Sequence, residues 1–97
     1  MICAYNRSMD FEWDEMKRQT NIAKHRIDFV DAVKIFNGFT VTVEDERFDY
    51  GERRYVTLGM SENLTVLFVA YTYENDDVIR ILSARKATKR EQQRYFA

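Results

Sequence analysis

The spacing of apolar residues changes along the chain, and this change constrains the fold more than any other feature of the sequence. Before Gly38, apolar residues recur at intervals of three and four, which is the spacing of one buried face of a helix. They are Phe29, Ala32, Val33 and Phe36. After Gly38, apolar and polar residues alternate, as is typical of strands. Helices followed by a block of strands predict an α+β domain in which helices cover one sheet.

Two N-terminal helices are predicted before residue 38. Asp14 is the expected N-cap of the first helix. Its buried stripe, at helical spacing, is assigned to Met16, Thr20, Ala23 and Ile27. Asp28 caps the second helix, and Asn37-Gly38 ends it because glycine adopts the left-handed terminal conformation without strain. The segment Phe11-Glu12-Trp13, ahead of both helices, could form a short edge strand.

Four strands are predicted after these helices, at 39–43, 55–60, 64–73 and 78–84. The third is almost wholly apolar or aromatic, so it is expected at the centre of the sheet with both faces covered. Short connections favour pairing in chain order, which gives an antiparallel meander. Strict alternation in the last strand places Arg80 and Leu82 on one face and Ser83 on the other.

A C-terminal helix completes the predicted fold. Thr88 and Glu91, three residues apart, form a capping-box pattern in which each side chain bonds the backbone N–H of the other residue. The helix is expected to continue to the C-terminus, where Tyr95 would pack back on the sheet.

Length and composition indicate a single domain over residues 1–97. A chain with 45% apolar residues can form one packed core without a metal or a disulfide. Cys3 is the only cysteine, which excludes an intrachain disulfide and fits a cytoplasmic protein. One histidine and one cysteine cannot form the usual zinc sets, which excludes a zinc enzyme. Carboxylates could hold a magnesium ion, but no motif indicates one, so no cofactor is expected. No apolar run approaches the ~20 residues that cross a bilayer.

Charge is unevenly distributed, although the formal net charge is only −1. Between Asp77 and Ala97 there are six cations against two anions, whereas between Glu44 and Glu52 there are five anions against Arg47. A local basic surface can bind an RNA backbone even on a weakly acidic protein. The C-terminal quarter is therefore the predicted nucleic-acid-binding region.

Two arginines near the end of the last predicted strand are suited to a phosphate. Arg85 lies just before the cap of the C-terminal helix, and a guanidinium beside a positive helix end is stable mainly when an anion lies between them. The alternative is a surface arginine bonded to a loop carbonyl. For Arg80, in the middle of the strand, the alternatives are a phosphate clamp and an ion pair with an acid of the neighbouring strand.

Several short motifs, in this order, resemble the BrnT toxin family over residues 10–95. The N-terminal motifs are Phe11-Glu12-Trp13-Asp14, Lys17, Asn21, Lys24-His25, Ile27, Phe29, Ala32 and Phe36. The later ones are Glu52-Arg53-Arg54-Tyr55, Gly59, Val69-Ala70-Tyr71-Thr72 and the segment from Arg80 to Tyr95. The sequence departs from the family pattern at Arg26, where glycine is usual after Lys-His. Compared with that pattern, residues 1–8 are an extra leader, so that either Met9 is the true start or the leader is a poorly ordered arm.

The resemblance implies a RelE-like fold and RNA cleavage by a toxin of a bacterial type II toxin–antitoxin pair. It also implies a cognate antitoxin with a ribbon-helix-helix DNA-binding part, in a hetero-oligomer that represses its own operon. We expect this antitoxin to cover the basic edge of the sheet.

RNA cleavage without a metal needs a group that accepts the 2′-hydroxyl proton and a group that stabilises charge on the phosphate. Arg80 and Arg85 are assigned the second role, because a planar guanidinium can grip two phosphate oxygens. Arginine is a poor base, so the proton acceptor is assigned to Glu52 or His25. The alternatives are a salt bridge in which Glu52 holds Arg80 or Arg85 in place, and a structural histidine.

Further contacts to RNA are assigned to Lys17, Lys24, Arg53, Tyr71 and Lys86. Lysines on one helix face are also typical of any solvated surface, and a tyrosine in a central strand is typical of a packed core. The second hypothesis is therefore a non-catalytic module that binds RNA or protein through the same basic surface.

Overall fold

The computed structural model describes residues 9–45 and 51–97. Within these ranges the elements are β1 Asp10–Glu12, α1 Glu15–His25, α2 Phe29–Ala32, a 3₁₀ helix Val33–Asn37, β2 Thr40–Asp45, β3 Arg54–Met60, β4 Val66–Asn75, β5 Val78–Lys86 and α3 Lys89–Phe96. The predicted leader with Cys3, and residues 46–50 of the acidic loop, lie outside the described residues. No helix among the described residues is long and apolar enough to cross a membrane.

One sheet of five strands, in the order β1-β5-β4-β3-β2, organises the described residues. Strands β2 to β5 pair antiparallel in chain order, so the predicted meander is confirmed. The predicted four-stranded antiparallel sheet was incomplete, because β1 adds a fifth strand parallel to β5. β1 pairs with the segment from Val78 to Arg80, where β5 would otherwise present unpaired backbone groups at its edge.

Both predicted N-caps of the N-terminal helices are confirmed. The Asp14 carboxylate accepts hydrogen bonds from the backbone N–H groups of Met16 and Lys17 at 2.7 and 3.2 Å. The Asp28 carboxylate accepts one from Val30 N–H at 3.0 Å. Each cap satisfies amide groups that have no partner within the first helical turn.

The second predicted helix is short and ends differently from the prediction. One α-helical turn, Phe29–Ala32, passes into the 3₁₀ helix Val33–Asn37. Gly38 has a φ of −119°, which is an extended backbone, so the left-handed terminus predicted there is wrong. A left-handed residue occurs instead at the end of α1, where Arg26 has a φ of 63° and its N–H bonds the Ile22 carbonyl at 2.8 Å.

The buried face of α1 differs from the predicted stripe. Met16 is 76% exposed, and Thr20 and Ala23 are exposed too, whereas Asn21 is only 6% exposed. The Asn21 amide donates to the Ala84 carbonyl at 2.8 Å and accepts from the Ala84 N–H at 3.1 Å. α1 therefore lies along the outer edge of β5 and contacts it through a polar side chain.

This role of Asn21 follows from the shortness of β1. β1 ends at Glu12, opposite Arg80, so the edge of β5 beyond that point has no strand partner in β1. A buried backbone group left without a hydrogen bond costs about 1–3 kcal/mol. The Asn21 amide supplies both a donor and an acceptor to Ala84, and it also donates to the Ile27 carbonyl at 2.9 Å.

The main core lies between the sheet and the segment formed by α2 and the 3₁₀ helix. Its most buried side chains are Phe29, Ala32, Ile35, Leu67, Val69, Tyr71, Ile81 and Ala84. A Cβ added at Gly59 would lie 2.7 Å from the Cβ of Ile35. Glycine at this position therefore allows the 3₁₀ helix to approach β3 closely.

The sheet face that points away from α2, which carries Leu58, Val66 and Phe68, is called the open face below. α3 covers part of it, because Tyr95 clusters with Leu58 and Val66. The Tyr95 hydroxyl donates to the Phe39 carbonyl at 3.0 Å, so the predicted packing of Tyr95 is confirmed. Beside α3 an apolar cavity of about 110 Å³ lies on this face.

Candidate active site

A β-bulge in β5 brings the two predicted phosphate-binding arginines onto one face. In a regular strand, residues five positions apart, such as Arg80 and Arg85, point to opposite faces. The pairing of β5 with β4 jumps from Ser83 to Ile81, so Leu82 is an extra residue. The extra residue restores the two arginines to the same side.

Burial of the neighbouring residues identifies that side as the open face. Ile81 and Ala84 both lie in the main core with 0% exposure, although they are three positions apart. Arg80 and Arg85, which alternate with these core residues, therefore both lie on the open face. The prediction that Ser83 faces away from Arg80 was wrong, because it assumed unbroken alternation.

Arg85 is bound by an acid of its own chain at the place predicted for a phosphate. Its terminal nitrogens donate to both carboxylate oxygens of Glu91 at 2.9 and 3.0 Å. Nη1 also donates to the Lys86 carbonyl at 3.1 Å. The guanidinium carbon lies 3.8 Å from the centre of the Phe68 ring, an attractive cation–π distance. The anion between the arginine and the helix start is thus Glu91.

Glu91 joins this arginine to the first turn of α3. Its carboxylate accepts the Thr88 N–H at 2.8 Å, and the Thr88 hydroxyl accepts the Glu91 N–H at 3.2 Å, which confirms the predicted capping box. The hydrogen bonds from Arg85, helped by the Thr88 backbone and opposed by burial, lower the pKa of Glu91. Glu91 is therefore ionised near neutral pH and poorly suited to accept a proton.

Arg80 is held through one side of its guanidinium. Nε donates to the Glu12 carboxylate at 2.9 Å and lies 3.6 Å from that of Glu74. These acids belong to β1 and β4, the strands on either side of β5. The Arg80 side chain is 43% exposed. A partly exposed arginine beside two carboxylates has the groups needed to hold a phosphate and to accept a proton next to it.

Glu52 and Arg53 lie just before β3, and Arg53 Nε is 3.7 Å from the Glu44 carboxylate of β2. Glu52 pairs with Arg54 at 3.4 Å and not with Arg80 or Arg85, which bind other acids. The Arg53 carbonyl accepts the Thr72 hydroxyl at 2.6 Å, and Thr72 lies opposite Arg80. The start of β3 is therefore two strands from Arg80, or about 10 Å.

Lys17, Lys24 and His25 lie on α1, beside the edge of β5. The two lysines are exposed, and His25 is partly exposed at the last position of the helix. The bonds between Asn21 and Ala84 fix α1 next to the strand that carries both arginines. Basic groups in the last turn also suit the negative end of the helix dipole, so their position alone does not require a function.

The side chains of Lys86 and Arg85, which are neighbours in β5, lie on opposite faces of the sheet. Lys86 lies opposite Leu67, a main-core residue, and lines a cavity of about 270 Å³ at one end of the sheet. Charges of both signs line this cavity, where Lys34 lies 3.3 Å from Glu62. The structure therefore does not bring Lys86 to the two arginines.

The structure corrects the prediction that Tyr71 binds RNA. Tyr71 is 2% exposed, and its ring stacks on that of Tyr55 with ring centres 5.8 Å apart. Its hydroxyl lies 2.7 Å from that of Thr57, which lies 2.7 Å from that of Thr42. Burial, more than any other cause, raises the pKa of Tyr71. An enclosed ring offers no face to a base, and core packing accounts for this tyrosine.

Sequence reasoning missed Glu12 as a site residue and Glu74 as a second acid near Arg80, and identified Glu91 only as a helix cap. Alternation in a strand at Phe11-Glu12-Trp13 separates Phe11 from Glu12, but only the pairing of β1 with β5 places Phe11 towards the core and Glu12 on the open face. Glu74 lies beside a second shift in register, between Tyr73 and Asn75, which alternation does not indicate. In residues 9–45 and 51–97, no three His, Cys, Asp or Glu side chains are grouped to hold a metal ion.

Comparison with known proteins identifies one matching family model and a similar solved structure. The model described as ribonuclease toxin, BrnT, of type II toxin–antitoxin system matches residues 13–91. The 1.1 Å crystal structure of the Brucella abortus ribonuclease toxin BrnT is 29% identical, with a TM-score of 0.64. The alignment covers 84% of this chain and 99% of that one. No curated protein matches the chain.

Proposed function

The chain belongs to the family of BrnT ribonuclease toxins of type II toxin–antitoxin systems, and on this premise we propose that it cleaves RNA on the open face without a metal ion. In the proposed reaction the 2′-hydroxyl attacks the adjacent phosphate. Arg80 stabilises the negative charge that develops on the phosphate oxygens. The reaction stops growth by destroying RNA, which is the proposed basis of toxicity.

The observation that carries this proposal is the convergence of Arg80 and Arg85 on the open face, next to acids. Arg80 is the more exposed of the two, and the hydrogen bond to Glu12 involves Nε rather than the terminal nitrogens. We therefore assign phosphate binding to Arg80. Arg85 is bound to Glu91, and we assign it the orientation of α3 together with a weaker attraction for the RNA backbone.

The other site residues belong to the proposal as the sequence suggests them. His25 and Glu52 are candidate proton acceptors, and Lys17, Lys24 and Arg53 attract the RNA backbone around the arginines. Lys86 contributes only at longer range, because it lies across the sheet from Arg85.

A cognate antitoxin is the second partner in the proposal, besides the RNA substrate. Membership of a type II toxin–antitoxin family supports it. We propose that the antitoxin has a ribbon-helix-helix DNA-binding part, that it forms a hetero-oligomer with this chain in the cytoplasm, and that it covers the basic edge of the sheet. Neutralisation then follows from exclusion of RNA from the open face.

A non-catalytic module that binds RNA or protein is the second candidate. One observation favours it, namely that Arg80 and Arg85 each pair with a carboxylate and so carry little uncompensated charge. Such a surface can exchange its internal ion pairs for those of a partner without any chemical step.

Incubation of purified protein with RNA, with and without a chelator of divalent metals, separates the two candidates. We expect cleavage in both conditions, with products that end in a 2′,3′-cyclic phosphate. Intact RNA that the protein retains on a filter would favour the binding module, and cleavage abolished by the chelator would contradict the metal-free reaction. In cells, induced expression should stop growth, and co-expression of the adjacent gene should restore it.

A further inference from the structure

We propose that Glu12 is the general base that accepts the 2′-hydroxyl proton of RNA bound at Arg80. This inference rests on the proposed function, because it assigns a residue to the same reaction on the same face. The family model matches from residue 13 onwards, so Glu12 lies just outside the matched span.

The geometry around Arg80 suits this role. The hydrogen bond from Arg80 Nε at 2.9 Å uses Oε2 of Glu12, and a carboxylate has a second oxygen that can accept a proton. A guanidinium is planar and rigid. A phosphate bound by the terminal nitrogens of Arg80 and a carboxylate bound by its Nε are therefore held at a fixed distance from each other.

The backbone of β1 makes this placement precise. Glu12 pairs directly with Arg80 in the parallel ladder, and Asp10 N–H donates to the Asp77 carbonyl at 2.8 Å. On the other face Phe11 packs against Phe36, with ring centres 5.4 Å apart. A catalytic group on a strand held by backbone hydrogen bonds and by a packed ring is positioned more accurately than one on a loop.

The other acids near the arginines are less suitable. Glu74 lies farther from Arg80 Nε, at 3.6 Å, and stands at an irregularity of β4. Glu91 has both oxygens bound to Arg85, and Glu52 pairs with Arg54 about two strands away. None of these three carboxylates accepts a hydrogen bond from Arg80 Nε, as that of Glu12 does.

The proposed step transfers one proton and exchanges one bond at phosphorus. The 2′-O–H bond breaks as Glu12 takes the proton, the 2′-oxygen forms a bond to phosphorus, and the bond from phosphorus to the 5′-oxygen breaks. The departing 5′-oxygen takes a proton from water on this partly exposed face. Glu12 then returns its proton to the solvent, so the products are a 2′,3′-cyclic phosphate and a 5′-hydroxyl.

The variant Glu12→Gln tests this role, with Glu74→Gln as the matched control. Glutamine keeps an oxygen that can accept the Arg80 Nε–H, but it cannot accept the 2′-hydroxyl proton. Glu74→Gln removes the same charge from the same neighbourhood. We expect E12Q to lower the cleavage rate by roughly 10²–10⁴-fold, the usual contribution of a general base. RNA binding, measured on a non-cleavable RNA with a 2′-deoxy substitution, should stay within a few-fold of wild type, and E74Q should affect cleavage far less.

The pH dependence of cleavage provides a second readout that a positioning role would not change. The charged groups that face Glu12 are Arg80 on β5, Glu74 on β4 and Asp10 on its own strand. Wild-type cleavage should fall on acidification, because a protonated carboxylic acid cannot act as a general base, and E12Q should lose this dependence. Glu12→Asp, which keeps a carboxylate, should retain it at a lower rate.

Two outcomes would overturn the inference. In the first, E12Q cleaves within about threefold of the wild-type rate and its pH dependence is unchanged. In the second, E74Q loses as much cleavage activity as E12Q. Arg80→Ala distinguishes failure of this inference from failure of the proposed function. If Arg80→Ala abolishes cleavage while E12Q preserves it, the site is correct and the base is another residue; if Arg80→Ala cleaves normally, the proposed site itself is wrong.

Discussion

The two ends of β5 differ in what completes the edge of the strand and in how the arginine there is bound. At the Arg80 end, a short parallel strand completes the edge of the sheet, and the arginine is bound through Nε. At the Arg85 end, the Asn21 side chain completes the edge, and the arginine is bound through both terminal nitrogens. A side chain whose terminal nitrogens both bind an internal acid stabilises the fold, whereas one held through Nε can also bind a ligand. The comparison predicts that function concentrates at the Arg80 end and stability at the Arg85 end.

Replacing each arginine in turn is the strongest test of this comparison. Arg80→Ala should lower RNA cleavage by about 10²–10³-fold, the loss expected when a donor to the developing charge is removed. Its effect on the free energy of unfolding should stay within about 1 kcal/mol, because the pair is half exposed. Arg85→Ala should show the reverse, with a smaller loss of cleavage per folded molecule. Single-turnover cleavage and urea unfolding of both variants measure these effects. Equal losses of cleavage in the two variants would contradict the comparison.

Asn21→Ala tests how the Arg85 end is held. The variant leaves the Ala84 N–H and carbonyl without the amide that bonds them, so we expect the free energy of unfolding to fall by about 2–3 kcal/mol. Thr20→Ala, at the exposed neighbouring position, is the control and should change it by less than about 0.5 kcal/mol. Equal urea midpoints for N21A and wild type would show that α1 does not depend on this contact.

Glu91→Gln tests the ion pair that binds Arg85. Because the pKa of Glu91 is lower in the folded state than in the unfolded chain, its contribution to stability is present above the unfolded value of ~4.3. That contribution is lost as the pH falls through the folded-state pKa. We expect E91Q to be less stable than wild type by about 1 kcal/mol at pH 7 and by much less at pH 3. Thermal unfolding at both pH values measures this, with the exposed Glu62→Gln as control; a difference that does not shrink in acid would contradict it.

Arg26→Gly has the smallest expected effect, in the stabilising direction. Arg26 has a φ of 63° at the end of α1, a conformation that favours glycine over residues with a Cβ. We expect the free energy of unfolding to rise by about 0.5–1 kcal/mol. Gly38→Ala is the matched control for a position without a left-handed backbone, because Gly38 is extended and a Cβ there would meet nothing within 4 Å. Destabilisation by R26G would mean that the arginine side chain makes a contact that outweighs its backbone strain.

Local chemistry in the sequence was enough to predict most of the fold. Asp14, Asp28 and Thr88 cap the helices they were predicted to cap, alternation predicted the strands of the meander, and short connections predicted their order. These features depend on residues close together in the chain. Hydrogen bonds to the first turn and the period of side-chain burial can both be judged without knowledge of distant segments.

The features that sequence reasoning missed depend on distant contacts. Asn21 resembles a surface residue until Ala84 is placed beside it, and apolar Leu82 fits either face, so nothing marks it as a bulge. Glu12 became part of the candidate site only through the parallel pairing of β1 with β5. For the candidate site, the two arginines were named from sequence, but the acids that bind them depend on strand order.

The parallel pairing of β1 with β5 has a consequence for synthesis of the chain. Glu12 and Arg80 are 68 residues apart, so their contact closes one of the longest loops in the molecule. Such contacts form late in folding, because the entropy of a long loop is lost before the contact compensates for it. A ribosome must therefore complete almost the whole polypeptide before these two side chains can meet, and a nascent or truncated chain that ends before β5 has no assembled Glu12–Arg80 pair.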